Sequence, residues 1–415
     1  MGTAVEKIFS RKAGRTVHSG EIVTVEVDCY MMHDLNGPVA LDYFDQFHEK
    51  VKSPERGLIS LCHLSPAPTA GAADHHKRLR DFAKAAGMDL IDTGKGVCHP
   101  AVIESGKVFP GCVAVGTDSH SAHYGALNCF STAMGASEIA VIMATDKTWF
   151  CVPRTICIEL NGRPKGYVCA KDIALEILRR LGETGALYTC LEFTGSTFEY
   201  LSVDERSVIG NLMIETGAKG AIMPYDRILE QWLSLRGIGY DPSLAVTADP
   251  DAVYEKKISI NVAELEPLVA VPPTMNEAVP VKSLDRIQVD QVVIGSCTNG
   301  NYGDFEIAAS VLKGKKVHEG VRLLIIPSLE STALKMAETG IYKDLLDAGA
   351  VIIPPSCGPC AGMHCGLLGA GETAFATTNR NMAGRMGSRM AQVYIGSPAT
   401  AAFTAVSGFI TVGGA

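Results

Sequence analysis

Between Ile287 and Ser356 the sequence alternates short β-branched apolar runs with amphipathic segments, and this alternation restricts the fold more than any other feature. "IQVDQVVIGS" reads as a strand ending at Gly295, and "NGNYGDFEIAASVLKGK" as a capped loop and helix. "VRLLIIPS" is a second strand, "STALKMAETGIYKDLLDAG" a helix, and "AVIIPPS" a third strand. Strands joined through helices lie parallel, so their carboxyl ends emerge on one edge, where open α/β sheets bind ligands. Cys297 follows the first strand, while Cys357 and Cys360 of "PPSCGPCAG" follow the third. The topology therefore gathers three thiols that are far apart in sequence.

Length extends the same reasoning to the whole chain. At 415 residues it exceeds the size of a single growing core, so two or three α/β subdomains are expected, drawn here as three with approximate bounds 1–125, 126–280 and 281–415. The first cut is placed where the glycine-rich "GTDSHSAHYGA" gives way to "STAMGASEIAVIMATDKTW", a small-residue stretch that reads as a helix. The second is suggested by Leu265 to Arg286, which carries four prolines and little helical period, as an extended crossing would.

A formal net charge of −8 with 20% charged residues argues against a general nucleic-acid or acidic-membrane surface, so an anionic substrate must be held by a few focused arginines. The stretch "MGTAVEKIFSRKAG" lacks the apolar centre of a signal peptide, and no later segment offers about 18 uncharged apolar residues; the expected location is the cytoplasm. There the thirteen cysteines are reduced thiols. Most of them, Cys129, Cys151, Cys157, Cys169 and Cys190 included, read as small buried hydrophobes.

Three converging thiols admit three chemistries. A redox pair would use Cys357 and Cys360 alone at the start of a helix. A structural zinc site would need a fourth ligand, for which His364 or Cys365 is the nearest supplement. An iron–sulfur cluster held by three cysteines would leave one iron open, as Lewis-acid catalysis requires. Further along, Arg380 and Arg385 sit in an Asn/Gly-rich loop suited to bidentate clamping of carboxylates. The N-terminal half adds His33 and Asp34, Cys62 and His63, His99, and Asp118 with His120, each after a β-type apolar run. Repeated His and Asp at strand ends suggest acid–base pairs.

The motifs "GTDSH", "NLMIETGAKG", "IGSCTN", "CGPC" and "TNRNMAGRMG", in that order, resemble the aconitase superfamily, nearest to the large subunits of 3-isopropylmalate dehydratase and homoaconitase. The resemblance covers nearly the whole chain. It implies three α/β/α domains around a 4Fe-4S cluster, without the family's fourth, swivelling domain, which would come as a separate small subunit. It implies Cys297, Cys357 and Cys360 as cluster ligands and Arg380 and Arg385 as substrate-binding or site-ordering arginines. His99 would pair with Asp118, and His120 with Glu215; His63 matches the histidine of an Asp-His pair whose aspartate is here Cys62. A neutral thiol in that place would fail to stabilise the imidazolium and would weaken the acid. Pro100 stands where the family commonly has Gln, which puts one polar substrate contact in question.

The implied activity is reversible dehydration of a hydroxy di- or tricarboxylate, foremost the 2-isopropylmalate to 3-isopropylmalate interconversion of leucine biosynthesis. Homocitrate-type and small substituted-malate substrates are alternatives, as is an inactive or regulatory cluster protein on account of Cys62. The family's carbon-acid base is a serine of the swivelling domain, so this chain is expected to need its small subunit, and neither nucleic acid nor membrane is an expected partner.

Overall fold

The computed structural model describes residues 2–413. Its strands sort into three largely parallel sheets, each flanked by helices, and one two-stranded antiparallel pair. The first runs in the order Asp89–Ile91, Gly57–Ser60, Cys29–His33, Val113–Gly116, Phe130–Ala133, all parallel. The second runs Gly220–Ile222, Thr189–Thr194, Arg154–Asn161, Lys256–Asn261, again parallel. The third contains Gln392–Gly396, Thr373–Ala376, Gln291–Gly295, Arg322–Ile326 and Val351–Ile352 as a parallel set, with Leu268–Ala270 and Ala278–Pro280 added antiparallel at one edge.

Two expected boundaries therefore change. The cut near residue 125 falls within the first unit, because Phe130–Ala133 pairs with Val113–Gly116 and Lys147–Cys151 pairs antiparallel with Ile22–Glu26. The stretch read as one helix there is strand, helix Ala136–Thr145 and strand. Gly135 caps the helix start in extended conformation and Asp146 ends it in the left-handed region, so the helical part is only ten residues. The proline-rich crossing is also partly ordered as strand. Its two three-residue strands pair with each other, and the outer one, Ala278–Pro280, is the sheet edge, where its proline is tolerated because no ladder N–H is lost on the outer side.

The β-α-β-α-β order of the last third is present, with one refinement. The second helix is broken into Glu330–Glu338 and Ile341–Ala348, with Gly340 between them at φ 83°, a conformation that costs a side-chain-free residue little.

Chain order within the sheets fixes where a site can form. In the third sheet the chain moves from Gln291–Gly295 outward one way through the next two strands. It then returns to the other side at Thr373–Ala376, so the loops after these two neighbours part in opposite directions. The first sheet does the same between Cys29–His33 and Val113–Gly116. Each sheet thus has a crevice at its switch point. The two carboxyl edges meet: the Cys357 amide donates to the Cys62 carbonyl at 2.9 Å, and Val97 N donates to Ser328 O at 2.8 Å. An apolar cluster containing Met31, Leu58, Val97, Cys98, Val102 and Tyr124 also takes in Cys297 and Cys357. Among the described residues no helix is long and apolar enough to cross a membrane.

Candidate functional site

Each sheet edge contributes a different kind of side chain. From the first come His33 and Asp34 after one strand, Cys62 and His63 after the next, Cys98 and His99 in the first turn of helix Cys98–Glu104, and Asp118 and His120 after Val113–Gly116. The third supplies Cys297, then Cys357 and Cys360 around the turn Gly358–Ala361, then Asn379, Arg380 and Arg385. The middle unit contributes Asn211 and Glu215, where helix Val203–Leu212 ends in the turn Met213–Thr216. His63, His99, Asp118, His120, Cys297, Cys357, Cys360, Asn379 and Arg385 line one small cavity. A larger one of about 530 Å³, bordered by Glu192, Tyr254 and Lys257, holds none of these groups. Volume alone does not locate the chemistry here.

Asp118 organises the histidines. His99 Nε2 lies 2.8 Å from its Oδ1 and His63 Nε2 lies 3.2 Å from its Oδ2, while the His120 amide donates to Oδ1 at 2.8 Å. Burial alone would raise its pKa, yet the His99 charge and the hydrogen bonds from His120, His63 and His99 hold it well below the usual carboxylate range. His120 turns its Nε2 to Glu215 Oε1 at 3.0 Å, and Arg380 Nε donates to the same oxygen at 2.7 Å. Glu215 is lowered as well, against its burial, by His120 and Arg380. One carboxylate thereby ties together a side chain from each sheet's unit.

The thiols are buried, with Cys297, Cys357 and Cys360 at 7%, 6% and 5% exposure. Their surroundings are chiefly N–H donors. Asn379 Nδ2 lies 3.4 Å and Asn211 Nδ2 3.7 Å from Cys297 Sγ, and Arg385 Nη2 lies 4.0 Å from Cys360 Sγ. Burial pushes the Cys297 thiol up to about 12. Two polar atoms of the cavity wall, Ser296 Oγ and Arg385 Nε, are buried with no partner. Donors aimed at sulfur, together with unused polar atoms around a buried thiol trio, fit a bound anionic group whose ligands are thiolates.

The alternatives fare worse. Cys360 Sγ donates to Asn379 Oδ1 at 3.2 Å and the near thiol of Cys357 is Cys62, so Cys357 and Cys360 do not form a facing redox pair. His364 Nε2 instead bonds the Pro66 carbonyl at 2.9 Å, and neither it nor Cys365 joins a metal-compatible group among the described residues.

Cys62 does not leave His63 without a counter-charge. Asp34 is fully buried and accepts from the amides of His63 at 2.9 Å and Leu64 at 2.8 Å, and from His76 Nε2 at 3.0 Å; its Oδ1 lies 3.6 Å from His63 Nδ1. Asp74, the other carboxylate in that stretch, is exposed on helix Ala70–Ala86. Burial would lower His63, but Cys62, Asp118 and Asp34 raise it well above the imidazole range. The expectation of a weakened imidazolium is thus reversed: three anionic neighbours surround that ring. Pro100, within the first turn of its helix, where an amide has no intrahelical acceptor, lines a different cavity beside Glu104 and Trp232.

Sequence reasoning overlooked Lys171. It is fully buried in helix Ala170–Leu181, and its Nζ donates to the carbonyls of Thr377 and Thr378 at 2.8 and 2.9 Å and approaches Thr298 Oγ1 at 3.4 Å. It clamps the loops that carry Cys297 and Arg380. Burial lowers its pKa to about 8. A lysine within "AKDIALEILRR" gives no local sign of this. Asn379 was within reach, since it immediately precedes Arg380 in "TNRN".

The aconitase family (aconitate hydratase) matches residues 6–286 and 280–408. A protein of Methanopyrus kandleri named 3-isopropylmalate dehydratase large subunit 1 is 41% identical over 412 residues, 99% of this chain and 98% of that protein. One of the same name from Thermotoga maritima is 42% identical over 411 residues, again 99% and 98%. The holo-form crystal structure of Thermococcus kodakaraensis aconitase X superposes with a TM-score of 0.50 at 12% identity, covering 91% of this chain and 89% of that one, which supports the fold alone.

Proposed function

This chain belongs to the aconitase family, and from that premise we propose that it is the large, cluster-bearing subunit of a cytoplasmic hydro-lyase interconverting 2-isopropylmalate and 3-isopropylmalate. The observation that carries the reading is the meeting, in one cavity, of Cys297, Cys357 and Cys360 with the histidines around Asp118. The three thiolates would hold a 4Fe-4S cluster, which when bound would supply Lewis-acid polarisation of the substrate hydroxyl.

This chain's own residues supply orientation and one proton. Arg385, whose Nε has no partner and whose burial is offset by nearby thiols so that it stays charged, faces the cavity as a carboxylate clamp. Arg380 is anchored through Nε on Glu215, which leaves its terminal nitrogens for a second carboxylate. His63, raised by Cys62, Asp118 and Asp34, holds a proton at physiological pH and delivers it to the departing oxygen as the C–O bond breaks. His99 and His120 are held by Asp118 and Glu215 and complete the proton network. The carbon-bound proton must leave to a base, for which the small subunit is the proposed source.

The test is anaerobic. The chain is reconstituted with iron and sulfide, combined with its small subunit, and assayed for the unsaturated acid from isopropylmalate, homocitrate and smaller substituted malates. Turnover of isopropylmalate that is lost in Cys297→Ser, with negligible turnover by the single chain, is expected. A well-formed cluster without turnover of isopropylmalate in the complete enzyme overturns the substrate assignment, and turnover by the single chain overturns the partner requirement.

A further inference from the structure

We infer that the cluster-free chain carries a second, mononuclear metal site of the zinc class, built from Cys62 Sγ, His63 Nδ1 and Cys357 Sγ. The ligand atoms of these three residues all lie within 4.8 Å of one another, and all three side chains are buried. Cys62 Sγ is 3.3 Å from His63 Nδ1. A tetrahedral ion with bonds of about 2.0 to 2.3 Å wants ligand atoms roughly 3.3 to 3.8 Å apart, so this pair is already at bite distance. Ligands of different irons in a cluster stand further apart, so this group has the dimensions of a one-ion site.

Two further features match such a site. The backbone is fixed on both sides, since the Cys357 amide donates to the Cys62 carbonyl at 2.9 Å. The second nitrogen of His63 is engaged by Asp118 at 3.2 Å, the carboxylate–imidazole arrangement that sets the tautomer and strengthens a ligating histidine. Cys98 lines the same cavity but stands outside this group of mutually close ligand atoms, so the fourth position is left to an exogenous ligand such as water. Two thiolates and one imidazole select Zn²⁺ and its surrogate Co²⁺ over magnesium or calcium. The consequence for the enzyme rests on the function proposed above: Cys357 is shared, so zinc and the cluster exclude each other. Cys62 then makes this chain's cluster assembly sensitive to zinc.

The experiment uses the full-length, reduced, cluster-free chain under argon, titrated with Co²⁺ and then Zn²⁺. Expected are about one equivalent of Co²⁺ with thiolate charge-transfer and tetrahedral d–d bands, and its displacement by Zn²⁺. Cys62→Ser and Cys62→Ala should weaken binding by at least about 100-fold, the upper range for disturbing even a ligand's supporting partner. Both should still take up a cluster, which also shows that they fold. Cys297→Ser should do the reverse, losing the cluster and keeping the cobalt spectrum; Cys357→Ser should lose both. Cobalt binding that is absent, or that survives in both Cys62 variants, overturns the inference. Cluster uptake that survives Cys297→Ser counts against the cluster reading alone and leaves the cobalt result standing.

Discussion

Asp118 is the residue on which the histidines depend most, because its two oxygens receive His99 Nε2, His63 Nε2 and the His120 amide. An amide in its place keeps the size and loses the charge. It can satisfy one ring nitrogen as acceptor, but its NH₂ group faces the other as a donor. In Asp118→Asn, therefore, His63 loses one of the three anions that raise it and one imidazole is left in the wrong tautomer. We expect turnover of the assembled enzyme to fall by about 10²- to 10⁴-fold, the usual contribution of positioned acid–base catalysis. The alkaline limb of the pH–rate profile, set by loss of the His63 proton, should also shift down in pH, with cluster absorption unchanged. Equal rates in Asp118→Asn and the parent would remove the histidines from the chemistry.

At the scale of elements, the first turn of helix Tyr302–Leu312 makes stability depend on pH. Asp304 is the capping partner in its first turn: the Asn301 amide donates to one carboxylate oxygen at 3.0 Å and Asn299 Nδ2 to the other at 2.9 Å. Burial outweighs those bonds and raises its pKa from 3.8 to about 7. Between these values the folded chain holds a proton that the unfolded chain has released. Stability from this group therefore declines as pH rises from about 4 to 7, by at most about 1.4 kcal/mol per pH unit. Asp304→Asn should flatten that part of the stability profile, measured by urea unfolding at several pH values. An unchanged slope would show that Asp304 ionises normally.

Legibility also divides at this scale. The strand–helix alternation from 287 to 356 was readable because periods of 2 and 3.6 differ over segments of this length, and parallel topology then placed Cys297 beside Cys357 and Cys360. The strands Leu268–Ala270 and Ala278–Pro280 were not, since three residues are too few to show a period. The exchange of Cys62 for an aspartate was visible, but its compensation by Asp34 depends on a contact across 29 positions that no local pattern encodes.

For the whole molecule the site is a joint. His63, His99, Asp118 and His120 belong to the first unit, Glu215 and Lys171 to the second, and the thiols and arginines to the third. The polar links across the joint include the His120–Glu215–Arg380 chain, Lys171 on Thr377 and Thr378, Cys357 on Cys62, and Val97 on Ser328. Apolar packing also crosses it: one cluster runs from the second unit into the third, and another joins residues of the first and second units to Cys297 and Cys357. Cys297, Cys357 and Cys360 lie in the connections after strands, so a group bound by them would stabilise the arrangement of these loops more than the sheets. Removing iron with a chelator under argon should lower the melting temperature by mass action yet leave the far-ultraviolet circular dichroism intact. Limited proteolysis of the chelated chain should then cut first in 296–301, 354–366 and 377–390, the connections that converge on the cavity, and these cuts should be suppressed on reconstitution. First cleavage within the sheet strands, or loss of helical signal on chelation, would instead mean that the three units do not hold their folds without the cluster, and that the site is a condition of the fold.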